Sequence, residues 1–81
     1  MTPEQARQYV EDALGRVAPD ARLQDIPPDA DFRDLFELDS LDFLSYVENL
    51  SEASGRRIDE DDYPEITTMA GAVGFLARST P

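Results

Sequence analysis

The stretch Phe36-Glu37-Leu38-Asp39-Ser40-Leu41-Asp42-Phe43-Leu44 sets one serine among acids and apolar residues, where an extended segment becomes an amphipathic helix. Asp39 or Ser40 can cap that helix with a side-chain oxygen, and Asp42 in the first turn complements the positive end of its dipole. The helix is expected to run to about Gly55. Its apolar residues are too many for one stripe. Phe43, Tyr46, Val47 and Leu50 form a core-facing set, and Leu41 and Leu44 lie on a separate strip with Ser45 and Glu48. The chain has no Cys, His or Lys, so a hydroxyl held at a helix mouth is the best candidate for a functional atom.

The chain reaches this helix through a long approach. From Pro19 to about Asp39 the prolines Pro27 and Pro28, several Asp residues and the isolated Leu23, Ile26, Phe32, Leu35 and Phe36 describe a loop pinned to a core at intervals, with a helical turn near Phe32 to Leu35. Loops of this length in small domains are usually functional or ordered by their own packing. Before it, Thr2-Pro3-Glu4-Gln5 supplies a capping threonine, a proline at the first helical position and Gln5 three residues after the cap. Ala6, Tyr9, Val10, Ala13, Leu14 and Val17 follow at helical spacing, and Pro19 stops that first helix.

After Gly55, Arg56-Arg57-Ile58 leads into Asp59-Glu60-Asp61-Asp62, expected as a solvated loop, and then a short helical turn at Tyr63-Pro64-Glu65-Ile66 with Tyr63 and Ile66 inward. The acidic run lacks the glycine and the distant glutamate of an EF-hand loop, so no metal site is expected. Thr67 or Thr68 caps a last helix with Met69, Ala72, Val73 and Leu76 on its buried side. The reading is an all-α fold, a small four-helix bundle of three longer helices and one short one with a long first loop, forming a single domain over residues 1–81.

Composition narrows the function classes. A domain of 81 residues buries only about 60 to 65% of its unfolded surface, enough for a modest core but not for an enclosed active-site cleft. Without cysteine there is no disulfide scaffold or thiolate metal site, and without histidine zinc binding and general base catalysis near neutral pH lose their usual residue. The Met1-Thr2-Pro3-Glu4-Gln5 start has no basic or apolar character of a secretory signal, and no stretch approaches membrane-spanning length, so a cytoplasmic location is expected.

Eighteen acids against seven arginines leave a net charge of −11, which disfavours nucleic acid and anionic membranes as partners. From Asp34 to Glu65 the net is −9, against −3 for the first 33 residues and +1 for residues 66–81. The negative field is centred on the segment that holds Ser40. Such a field serves solubility, and it also suits docking of basic partners, where it speeds encounter and sets orientation.

On these residues the chain resembles the acyl carrier proteins, small acidic helical bundles that carry acyl groups as thioesters on a 4'-phosphopantetheine arm. Asp39-Ser40-Leu41 matches the family's Asp-Ser-Leu signature, mid-chain at the start of the second helix, and the capped first helix, long loop, short third helix and Thr-capped last helix extend the likeness over nearly the whole chain. The resemblance implies that Ser40 is the attachment site and that a separate phosphopantetheinyl transferase moves the arm there from coenzyme A. It implies a non-catalytic carrier for fatty acid, polyketide or specialised lipid biosynthesis. Asp39, Asp42, Glu48 and Glu52 would be electrostatic contacts and Leu41 and Leu44 the apolar centre for acyl-loading ligases and synthases with basic docking surfaces. A monomer is expected.

The chain departs from the family where a common glycine is replaced by Glu37, where Glu48 answers an expected apolar residue, and at Gly71 and Gly74, which are expected to loosen the last helix. These departures favour a dedicated carrier over a housekeeping role. A peptidyl or aminoacyl carrier shares the fold and arm. The alternative from another class is an unmodified acidic adaptor that binds a basic partner through Leu41, Leu44 and the surrounding carboxylates and keeps Ser40 as a helix cap.

Overall fold

A computed structural model of the chain describes residues 1–19 and 21–78. Its helices are α1 (Pro3–Val17), α2 (Phe32–Leu35), α3 (Ser40–Ser54) and α4 (Met69–Arg78), joined by 3₁₀ segments at Leu23–Asp25 and Glu60–Ile66. The helix expected second is therefore α3, and the one-turn α2 is the helical turn anticipated within the long loop. Thr2 caps α1, its hydroxyl accepting from the Gln5 amide at 3.1 Å. Thr68 caps α4 in the same way, accepting from the Gly71 amide at 3.0 Å.

One core unites these elements. Ala6, Val10, Ala13 and Leu14 of α1 pack with Phe43, Tyr46, Val47 and Leu50 of α3 and with Met69, Ala72, Phe75 and Leu76 of α4. Burial of these apolar side chains is the main drive to fold, each contributing roughly 1.5–3 kcal/mol for the larger ones. The approach to α3 is pinned to the same core by Ile26, Phe32 and Leu38. Two backbone bonds also tie it to the start of α4, from Phe32 N–H to the Thr67 carbonyl at 2.7 Å and from Ala70 N–H to the Pro28 carbonyl at 2.9 Å. The 60–66 helix is tied to α3 by the Tyr46 hydroxyl, which donates to the Ile66 carbonyl at 2.7 Å inside the core.

Four details differ from expectation. The acidic run is not a loop: the 3₁₀ helix begins at Glu60, and the Asp59 amide donates to the Asp62 carboxylate at 3.0 Å, so the acids serve the positive end of a helix. Leu35 is exposed and Leu38 is buried in its place, because α2 is a single turn and the chain reverses just after it. Val73 is only half-buried, and Phe75 takes the core position beside Leu76. Gly71 is not a loosening residue: a Cβ there would lie 2.3 Å from the Glu65 carbonyl oxygen, so the close approach of α4 to the 60–66 helix requires glycine.

Candidate functional site

The turn between α2 and α3 is what positions Ser40. Glu37 adopts φ +53°, a left-handed conformation that favours glycine, and this is the site of the glycine the chain lacks. The reversal lets the Leu38 amide donate to the Arg33 carbonyl at 3.0 Å, a helix-terminating bond that leaves Leu38 in the core. Asp39 then stands in extended conformation outside the first turn of α3.

Asp39 is the cap. The Asp42 amide donates to its Oδ1 at 2.8 Å, and the Asp39 amide donates in return to Asp42 Oδ2 at 3.4 Å, a reciprocal capping box. The α3 ladder opens with the Phe43 amide donating to the Asp39 carbonyl at 2.9 Å. Ser40 therefore occupies the first helical position without serving the fold. Among the described residues its exposed hydroxyl has no hydrogen-bond partner, and the backbone amides of Ser40 and Leu41 have none either. An exposed hydroxyl beside two unpaired amides at the positive end of a 15-residue helix can accept a phosphate ester and donate to its oxygens.

The other predicted residues share the exposed side of α3. Leu41 is 74% exposed and Leu44 42%, large values for leucine on a helix whose opposite face is fully buried. Glu48 and Glu52 are exposed further along, one and two turns beyond Leu44. Asp39 is exposed, and Asp42 is half-buried at the mouth. Near them, the guanidinium of Arg33 lies 5.5 Å from the centre of the Phe43 ring. The positioning role of Glu37 and Leu38 is absent from the sequence expectations. The replaced glycine marks that turn, where Glu37 takes the left-handed conformation.

The described residues form a small all-α bundle with an exposed, unpaired serine hydroxyl at the mouth of α3. The chain belongs to the acyl carrier protein family. The model of the phosphopantetheine attachment site family matches residues 4–76. The chain is 36% identical over 54 residues to an acyl carrier protein of Rubrobacter xylanophilus, covering 67% of each, and 32% identical over 56 residues to one of Acidothermus cellulolyticus, covering 69% of this chain and 67% of the relative. No solved structure matches it significantly. The family carries a covalent 4'-phosphopantetheine group, and its members are non-catalytic. Among the described residues no helix is long and apolar enough to cross a membrane.

Proposed function

We propose that the chain is a single carrier domain over residues 1–81 and that Ser40 is its phosphopantetheine attachment point. The observation that carries this reading is the division of labour at the α3 mouth, where Asp39 does the capping and the Ser40 hydroxyl is left exposed and unpaired. The adaptor alternative keeps Ser40 as a helix cap, and here Asp39 makes the capping bond.

In the transfer, the Ser40 oxygen bonds to the pantetheine-side phosphorus of coenzyme A. The pyrophosphate P–O bond breaks and the adenosine bisphosphate half leaves. The hydroxyl proton passes to a base on the transferase, since no described side chain of this chain is hydrogen-bonded to Ser40. The unpaired amides of Ser40 and Leu41 would hold the phosphate of an attached arm, and the helix dipole would favour its negative charge. When attached, the arm's thiol holds acyl groups as thioesters. Leu41 and Leu44 offer partner enzymes an apolar centre, and Asp39, Asp42, Glu48 and Glu52 steer basic docking surfaces toward it in short-lived complexes. Such partners include the transferase, an acyl-loading ligase and synthase enzymes of fatty acid, polyketide or specialised lipid biosynthesis.

Intact-protein mass spectrometry after incubation with coenzyme A, magnesium and a broad-specificity phosphopantetheinyl transferase tests the reading. One phosphopantetheine should be added to the native chain and none to Ser40→Ala. Because the Ser40 hydroxyl makes no hydrogen bond, the stability of that variant should lie within about 0.5 kcal/mol of the parent. No gain under conditions that modify a control carrier would overturn the assignment.

A further inference from the structure

An arm on Ser40 would begin with a phosphodiester, a negative charge added to the most acidic part of the chain, where the net from Asp34 to Glu65 is already −9. Asp39 and Asp42 stand at the same helix mouth, each with a carboxylate oxygen on a backbone amide of the capping box. A further anion there meets their repulsion unless a cation stands beside it. Within residues 33–65 the arginines are Arg33, Arg56 and Arg57. Arg57 pairs with Asp59 at 3.0 Å, and the Arg56 guanidinium lies 5.6 Å from the centre of the Phe75 ring. Both follow the far end of α3, roughly 20 Å along the helix from Ser40 at about 1.5 Å per residue.

Arg33 is placed differently. Its carbonyl accepts from the Leu38 amide at 3.0 Å, which sets its backbone against the turn that enters α3. Its guanidinium lies 5.5 Å from the centre of the Phe43 ring, within the range of a cation–π contact. Phe43 is three residues beyond Ser40, so the two side chains are neighbours on the helix surface, with Cβ atoms about 5–6 Å apart. The ring thus seats a cation on the flank of the attachment point. Arg33 is exposed, and among the described residues its side chain makes no ion pair or hydrogen bond. Its planar fork of N–H donors is open, and that shape matches phosphate oxygens two at a time.

We propose that Arg33 is a positioning residue for the arm. Its guanidinium, seated beside Phe43, pairs with the phosphodiester oxygens on Ser40 from the flank while the Ser40 and Leu41 amides meet them from the helix end. The proposal rests on the reading of Ser40 as the attachment point. Arg33 in this role offsets the charge brought to the acidic mouth and fixes the direction in which the arm leaves the bundle. An arm held at its root sweeps a smaller volume, so less freedom is lost when a docked partner engages it.

The test uses the full chain before and after modification with coenzyme A and the transferase, with intact mass and fragmentation verifying the adduct at Ser40. In the native chain, attachment should shift the Arg33 Nε–H NMR signal and leave that of Arg57 in place. At low salt, Arg33→Gln should lower the melting temperature of the modified chain by about 1–4 °C more than that of the unmodified chain, and this excess should shrink in about 0.5 M salt. Arg57→Gln removes the same charge at the far end of α3 and should show no excess. Arg33→Lys keeps the charge without the fork and should restore part of it. An unmoved Arg33 signal, or equal losses in the modified and unmodified Arg33→Gln chains, would overturn the proposal and leave Arg33 as a cover for the Phe43 ring. Failure of the native chain to form the adduct would instead overturn the carrier reading beneath it.

Discussion

Glu37 holds φ at +53°, where a side chain costs about 1–2 kcal/mol relative to the right-handed region. Glycine removes that strain, while its freer unfolded chain takes back about 0.4–1 kcal/mol. Glu37→Gly should therefore stabilise the protein by roughly 0.5–1 kcal/mol in urea unfolding. An unchanged or lower midpoint would mean that the turn tolerates the side chain without strain. The variant should leave modification of Ser40 intact, because the bond from Leu38 to the Arg33 carbonyl and the Asp39 cap are made by other residues.

Two glycines of α4 separate local propensity from packing at the scale of one element. At Gly74 nothing lies within 4 Å of an added Cβ, so Gly74→Ala should gain about 0.8–1 kcal/mol from helix propensity alone. At Gly71 the same change forces a methyl to 2.3 Å from the Glu65 carbonyl. Gly71→Ala should lose about 1–3 kcal/mol despite the same propensity gain, as the 60–66 helix is pushed off α4. Thermal unfolding of the two variants should move the midpoint in opposite directions, and a gain at both would refute the close approach.

Helix α3 also carries the exposed Glu48 and Glu52, proposed above as docking residues. Glu48→Arg and Glu52→Arg together should slow association with the transferase several-fold at low salt. The difference should shrink as salt shortens the screening length to about 8 Å near 0.15 M. Equal association rates at low salt would remove these two residues from the docking surface.

For the whole molecule, the Tyr46 hydroxyl is the one buried titratable contact between α3 and the 60–66 helix among those described. Burial pushes its pKa far above the ordinary phenol value near 10. The folded state thus keeps a proton that the unfolded chain releases. Its contribution is complete below about pH 10, and stability falls above that by up to about 1.4 kcal/mol per pH unit. Tyr46→Phe should lack this fall and should cost roughly 1–3 kcal/mol at pH 7, since the Ile66 carbonyl loses its buried donor. Urea unfolding of both proteins between pH 7 and 11 reads the two slopes, and parallel curves would contradict the assignment.

Helices α1, α3 and α4, their caps to within one residue, the terminating Gly55 and the serine at the α3 mouth were legible in the chain alone. Each depends on contacts within about four residues, where residue type and spacing decide the outcome. The same locality made the family signature at Asp39-Ser40-Leu41 readable. What only the tertiary structure decided were contacts between distant segments. The choice of Asp39 over Ser40 as cap depends on how the turn at Glu37 enters α3. The burial of Leu38 in place of Leu35 depends on where that turn sends the chain. The need for glycine at 71 depends on a carbonyl of another helix, and the run of ring contacts from Phe32 through Tyr46 and Phe43 to Tyr63 joins residues up to 31 positions apart. Local chemistry specified the elements and placed a serine at the mouth of α3. Packing between elements, which no short window of sequence contains, decided which side chains were left free to act.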